Sequence, residues 1–207
     1  MTGGFRICVV DDDEAVRDSL QALLESRGHS VKTFATAADF LAGDPDGQPD
    51  CAIVDLQMPG MDGMTLLSRL KASGAPFPVI MVTGHGDVAR AVQAMKAGAA
   101  DFIEKPYAND AILNVIRQVV DRSAIADSSG QQRAGALARI ASLTPREHEV
   151  LERLVAGHPN KIIAYQLGIS PRTVEIHRAN LVKKMQADSL SHLVRLALAA
   201  GIGTAIR

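Results

Sequence analysis

The 207 residues carry 22 Lys and Arg against 23 Asp and Glu, with 47% apolar side chains and no tryptophan, the balance of a globular chain long enough for one large domain or two ordinary ones. No apolar run reaches the roughly 20 residues that span a bilayer, and the opening MTGGFRICVVDDD lacks the basic flank and long apolar stretch of a signal peptide, which predicts a cytoplasmic protein with no membrane partner. Cys8 and Cys51 both lie inside apolar runs and read as buried, reduced thiols.

The charge is unevenly placed. Residues 1–122 hold 11 Lys and Arg against 17 Asp and Glu, and residues 123–207 hold 11 against 6. An acidic front and a basic back predict two domains with different partners, nucleic acid being a candidate for the second. The front half alternates the apolar runs FRICVV (5–10), VKTF (31–34), CAIVD (51–55), PVIMV (78–82) and DFI (101–103) with amphipathic stretches such as Ala15, Val16, Leu20, Leu23 and Leu24, spaced for one helix face. Five strands alternating with five helices, the fifth from about Asn109 to Arg122, predict βαβ units and an α/β doubly wound parallel sheet. Residues 123–142, small and polar, read as an interdomain linker that is helical in part where Ala-Leu-Ala-Arg-Ile recurs.

From Leu143 onward the pattern is helical. Thr144-Pro145-Arg146-Glu147 offers a cap residue, Pro at the first helical position and Glu three after the cap. Pro159-Asn160 opens a second helix that Gly168 ends, Ser170-Pro171 opens a third, and Ser189 begins a fourth that runs to Gly201. Two helices joined by Gly168-Ile169-Ser170 have the form of a helix-turn-helix unit in an all-α domain.

The chemistry is concentrated at strand ends. The CAIVD run has no polar side until it stops on Asp55, and the first strand likewise stops on Asp11-Asp12-Asp13. In a parallel sheet these ends share one edge, where open α/β sheets bind ligands. If strands one and three are neighbours, Asp11, Asp12 and Asp55 converge. Clustered carboxylates repel unless a cation joins them, and a hard divalent ion prefers oxygen ligands. The fourth strand adds the Thr83 hydroxyl to that edge and the fifth is followed by Lys105. Acids, a metal, a hydroxyl and an ammonium make a site for a phosphoryl group, which one carboxylate attacks. Asp13 and Glu14 read simply as a helix start.

The residues VVDDDEAVR (9–17), DLQMPGMDG (55–63), VTGHGD (82–87) and EKP (104–106) resemble the receiver domain of bacterial two-component response regulators. The resemblance implies a flavodoxin-like five-stranded fold with Asp55 as phosphoacceptor. It further implies that Asp12, Asp55 and the main-chain carbonyl of Gln57 ligate Mg²⁺ or another divalent cation such as Mn²⁺, Asp11 acting mainly through water. Thr83 and Lys105 would take phosphoryl oxygens. Phe102 occupies the family's rotating aromatic position, where it either reports the switch or is simply core. Gln57 and His85 lie nearest the path of an attacking water and are expected to tune loss of the phosphoryl group, with His85 as a plain loop residue the alternative. A phosphatase with an aspartyl nucleophile is the rival reading, but its second acid, two residues past the nucleophile, is here Gln57, which supplies no proton. No enzyme activity is therefore expected.

In the back half, Val174, Leu181 and Met185 share one stripe of the third helix, while Arg172, Glu175, Ile176, Ala179 and Lys183 lie opposite. The second set suits a major groove, and Lys161, Ser170, Arg172, Thr173 and Lys183 suit phosphates. A small bundle with a merely solvated face is the alternative. LTPREHEVL (143–151), AGHPNKIIAYQLG (156–168) and SPRTVEIHRANLVKKM (170–185) resemble the LuxR-type DNA-binding domain. With the receiver in front, the chain resembles the FixJ/NarL group of response regulators, on its FixJ side. That implies a receiver over 1–122, a linker over 123–142 and a DNA-binding domain over 143–207. It also implies a cognate sensor histidine kinase, promoter DNA and RNA polymerase as partners, and a monomer that dimerises when phosphorylated. A constitutive DNA binder with a degenerate receiver is the remaining alternative, and the intact acid, Thr and Lys set argues against it.

Overall fold

The computed structural model describes residues 4–43, 47–84, 88–124 and 129–203. Its elements run β1 (Arg6–Val10), α1 (Glu14–Glu25), β2 (Ser30–Phe34), α2 (Ala37–Leu41), β3 (Cys51–Asp55), α3 (Gly63–Ala72), β4 (Val79–Thr83), α4 (Val88–Lys96), β5 (Asp101–Glu104) and α5 (Asn109–Ala124), then α6 (Ser129–Ile140), α7 (Pro145–Val155), α8 (Asn160–Leu167), α9 (Pro171–Lys184) and α10 (Leu190–Ala199). The chain divides into two compact units, Met1–Gly86 with Ala97–Ile125, and Asp87–Lys96 with Ala126–Arg207.

The first unit is built on a five-stranded sheet in the order β2-β1-β3-β4-β5, with every neighbouring pair parallel. Strands β1 and β3 are neighbours, with Val10 opposite Val54. The continuous apolar runs of β3 and β4 are explained by their position, since all five residues of each are buried as both faces of an inner parallel strand require. One face carries Ile7, Val9, Cys51, Ile53, Ile80, Val82 and Ile103 against Leu20 and Leu24 of α1 and Ile112, Ile116 and Val119 of α5. The two cysteines are buried and form no disulfide, and burial with the nearby Asp50 carboxylate pushes the Cys51 thiol up to about 12. Among the described residues no helix is long and apolar enough to cross a membrane.

The second unit is helical. Its caps follow the expected chemistry: Thr144 and Glu147 form a reciprocal capping box on α7, Ser170 and Ser189 cap α9 and α10, and Gly168 ends α8 in the left-handed region at φ 64°, where glycine has no Cβ to clash. The segment read as a linker is largely the helix α6, with Ala136 buried, and it groups with the second unit. Helix α4 is grouped with the second unit as well.

Candidate functional site

Asp55 and Asp11 end β3 and β1 side by side and are buried, 7% and 3% exposed. Two acids out of water need a compensating charge, and Lys105 supplies it. Its Nζ donates to Asp11 Oδ2 and Asp55 Oδ1, both at 2.8 Å. The other oxygens are also taken, Asp55 Oδ2 by the Gln57 N–H at 2.6 Å and Asp11 Oδ1 by the Asp13 N–H at 3.0 Å. Burial pushes the Asp55 carboxyl above its ordinary range against the pull of Lys105 and the Gln57 N–H, and Asp11 adds to the push. For Lys105, burial works against the charge, but the bonds to Asp11 and Asp55 outweigh it and hold the ammonium above its ordinary value.

Lys105 is placed by the sheet edge. Its N–H bonds the Thr83 carbonyl at 2.8 Å, and the Lys105–Pro106 peptide is cis. Thr83 ends β4, is 2% exposed, and among the described residues its hydroxyl makes only a long 3.3 Å bond to the Gly84 carbonyl, which leaves it able to turn to a better acceptor. Gln57 is exposed, and a side chain built at Gly84 would come to 3.9 Å from Gln57 Oε1, which places that amide at the mouth of the pocket. Phe102 is buried on β5, opposite Met81. His85 lies outside the described residues.

The expected convergence of three carboxylates is met by two. Asp12 is exposed, and among the described residues no group of three His, Cys, Asp or Glu side chains is close enough to hold a metal. Asp11 turns inward to Lys105, while Asp12 stands on the solvent side of the turn. Asp12 takes no hydrogen bond on its carboxylate among the described residues. Asp12, Asp55 and the Gln57 main chain offer oxygen donors only, the ligand type that a hard divalent cation such as Mg²⁺ prefers.

Two supports were not evident in the sequence. Arg17, in the first turns of α1, reaches back so that Nη1 donates to the carbonyls of Asp11 at 2.8 Å and Asp12 at 3.0 Å. Gly63, at the start of α3, lies so close to β3 that a Cβ there would collide with the Asp55 carbonyl oxygen and come within 3.0 Å of Leu56 Cα. The only outward signals were an arginine one turn past the acids and a glycine at a helix's first position.

In the second unit, Val174, Leu181 and Met185 are fully buried beneath α9, and Arg172, Glu175, Ile176, Ala179 and Lys183 are exposed along its other side. Ile176 is 54% exposed, a large apolar side chain in the middle of a charged face. Ser170 caps the helix by accepting from the Thr173 N–H at 3.1 Å and shares a 2.8 Å bond with the Thr173 hydroxyl, so the two hydroxyls expected to meet phosphate also organise the helix start. Lys161 is exposed on α8. The face is fixed from beneath: Lys184 Nζ donates to Glu147 Oε2 at 2.7 Å, and Arg178 Nη1 to Asn160 Oδ1 at 2.8 Å. A rigid helix with a mixed basic and apolar outer side is suited to a groove of double-stranded nucleic acid.

Residues 7–117 match the family model described as response regulator receiver domain, and residues 141–197 the one described as bacterial regulatory proteins, luxR family. Over 202 residues, 98% of both chains, the sequence is 49% identical to the transcriptional regulatory protein FixJ of Bradyrhizobium diazoefficiens. It is 43% identical over 194 residues to the C4-dicarboxylate transport transcriptional regulatory protein DctR of Rhodobacter capsulatus, covering 93% of this chain and 98% of that one. Among solved structures, full-length FixJ from B. japonicum is similar with a TM-score of 0.57 at 49% identity, over 97% of this chain and 98% of that one.

Proposed function

The chain belongs to the response regulators that join a receiver domain to a luxR-family DNA-binding domain, phosphorylation-dependent regulators of transcription, and from that premise we propose that Asp55 is the phosphoacceptor and α9 the helix that reads DNA. One observation carries the first assignment. Asp55 is the acid at the end of an inner strand, held at 2.8 Å by the same ammonium that holds Asp11, with the buried Thr83 hydroxyl at the end of the next strand.

An Asp55 oxygen attacks the phosphorus of a phosphohistidine on a partner sensor kinase, the phosphorus–nitrogen bond breaks, and the departing imidazole takes up a proton. Asp12, Asp55 and the Gln57 carbonyl would hold Mg²⁺, which supplies neutralisation of phosphoryl oxygens and in-line orientation. Asp55 loses its negative oxygen to the new bond, and Lys105 transfers its bond from that oxygen to the phosphoryl group. Thr83 donates its hydroxyl to a second phosphoryl oxygen. These shifts select one of two packings around β5 and Phe102, and the regulator passes from monomer to dimer. Two copies of α9 then meet paired half-sites in promoter DNA, where the bound dimer is placed to contact RNA polymerase. Hydrolysis attacks the same phosphorus, returning the carboxylate and releasing phosphate. Gln57 and His85 tune that step, and the aspartyl phosphate is a signal state rather than an intermediate of turnover.

Sedimentation with Mg²⁺ and a small phosphodonor or beryllofluoride tests the scheme. The expected result is a shift from monomer to dimer that Asp55→Asn abolishes. An unchanged mass distribution, or an undiminished shift in the variant, would refute it.

A further inference from the structure

We infer that Arg17 is a positioning residue for the cation half of the acidic pocket, fixing the turn from which Asp12 reaches the ion. The inference rests on the pocket reading above, in which Asp12 is a cation ligand. Asp11 and Asp55 each have both oxygens hydrogen-bonded. Asp12 has no such support. It is exposed and nothing among the described residues bonds its carboxylate, so its main chain alone fixes where the side chain begins.

That main chain is held on both sides of Asp12. The Asp11 N–H bonds the Phe34 carbonyl at 3.2 Å, the Asp13 N–H bonds Asp11 Oδ1, and the Asp13 side chain is committed to the Ala15 N–H as the cap of α1. The carbonyls of Asp11 and Asp12 are both taken by a single Arg17 nitrogen. With both carbonyls pinned, the peptide planes on either side of Asp12 cannot rotate independently. The Asp12 Cβ then leaves the turn in one direction, and only the side-chain rotamers remain for the carboxylate to adjust.

The location is unfavourable on charge alone. A guanidinium in the first turns of a helix faces the positive end of the helix dipole, and it stands beside a site meant for a divalent cation. Coulomb repulsion and positioning therefore predict opposite signs when Arg17 is removed. If the side chain acts as a charge, Arg17→Met tightens cation binding; if it positions the turn, Arg17→Met weakens it.

The experiment is a calorimetric titration of Mg²⁺ alone into the full chain as wild type, Arg17→Met, Arg17→Lys and Asp12→Asn, with a urea unfolding curve of each in the absence of metal. We expect Arg17→Met to bind Mg²⁺ about tenfold more weakly, the size seen when a group that orients a metal ligand is lost. Lysine restores a donor in a different position, so Arg17→Lys falls between wild type and Met. Tighter or unchanged binding by Arg17→Met overturns the inference. If that variant does not fold, wild-type affinity in Arg17→Lys overturns it equally. Wild-type affinity in Asp12→Asn, or no binding by the wild type, refutes the pocket reading itself and takes this inference with it.

Discussion

The ion pair beneath α9 predicts an asymmetry between its two partners. Glu147 is 4% exposed, and its Oε2 accepts from Lys184 at 2.7 Å and from the Thr144 N–H at 2.8 Å. The Lys184 side chain is 36% exposed. Replacing Lys184 by Met leaves a buried carboxylate with one main-chain donor, which should cost about 2–3 kcal/mol. Replacing Glu147 by Gln leaves Lys184 free to turn to water, and the amide oxygen still accepts from Thr144, so the loss should be about 1 kcal/mol. The smaller chemical change to the acid should thus be milder than loss of its surface partner. Urea unfolding followed by circular dichroism measures both, and hydrogen exchange of the α9 amides assigns the loss to the second unit. Acid adds a second check. Burial pushes the Glu147 carboxyl up, but the bonds from Lys184 and Thr144 more than reverse this and leave it below its ordinary 4.5. A depressed carboxylate contributes fully above its unfolded pKa and loses that contribution as pH falls through the folded one. The gap between wild type and Glu147→Gln should therefore hold above about pH 4.5 and close below it. A loss in Glu147→Gln equal to or above that in Lys184→Met, or a gap that persists in acid, would refute the reasoning.

Arg172→Ala and Lys183→Ala should each weaken DNA binding for all sequences and flatten its salt dependence by about one phosphate, whereas Glu175→Ala should shift preference at one base position by about 1–3 kcal/mol; gel-shift titrations at several salt concentrations distinguish the two patterns, and a uniform loss for Glu175→Ala would place it off the bases. Lys105→Met should leave Asp11 and Asp55 facing each other without their shared ammonium, so that dimerisation by beryllofluoride is lost; a wild-type shift in sedimentation would count against the partner exchange. His85→Ala should slow loss of phosphate from Asp55; faster acyl-phosphate decay in the variant would mean that His85 shields the group.

Strand ends and helix starts were legible because their signals are local. An apolar run that stops on Asp55, a Thr-Pro-Arg-Glu start and a Gly168 stop each act through neighbouring residues. Three features were not, because they depend on distant partners. Lys105 was expected to await a phosphoryl group, but in its absence two buried acids 94 and 50 residues away claim it. Glu147 was read as half of a capping box, which it is. Its tie to Lys184 spans 37 residues and leaves no pattern in the sequence. Residues 123–142 read as a linker helical in part because they lack bulky side chains, yet Ala, Gln, Arg and Leu are good helix formers, and the helix there, α6, buries Ala136. Arg17 fits the same description: its role lies in two carbonyls, which no side-chain pattern advertises.

Gly63 has a consequence for which sequences this pocket tolerates. Glycine at the first position of a helix is a poor choice for the helix itself, by about 1 kcal/mol against alanine in a helix interior. Here its lack of a side chain lets α3 rest directly on the main chain of Asp55 and Leu56. The position of Asp55 is thus gauged from behind by a missing methyl group. Gly63→Ala would retain every acid, hydroxyl and ammonium of the pocket yet displace the strand end that carries Asp55. It would alter the spacing of the chemistry while leaving its inventory whole, making residue 63 as restrictive a position as the acids it supports.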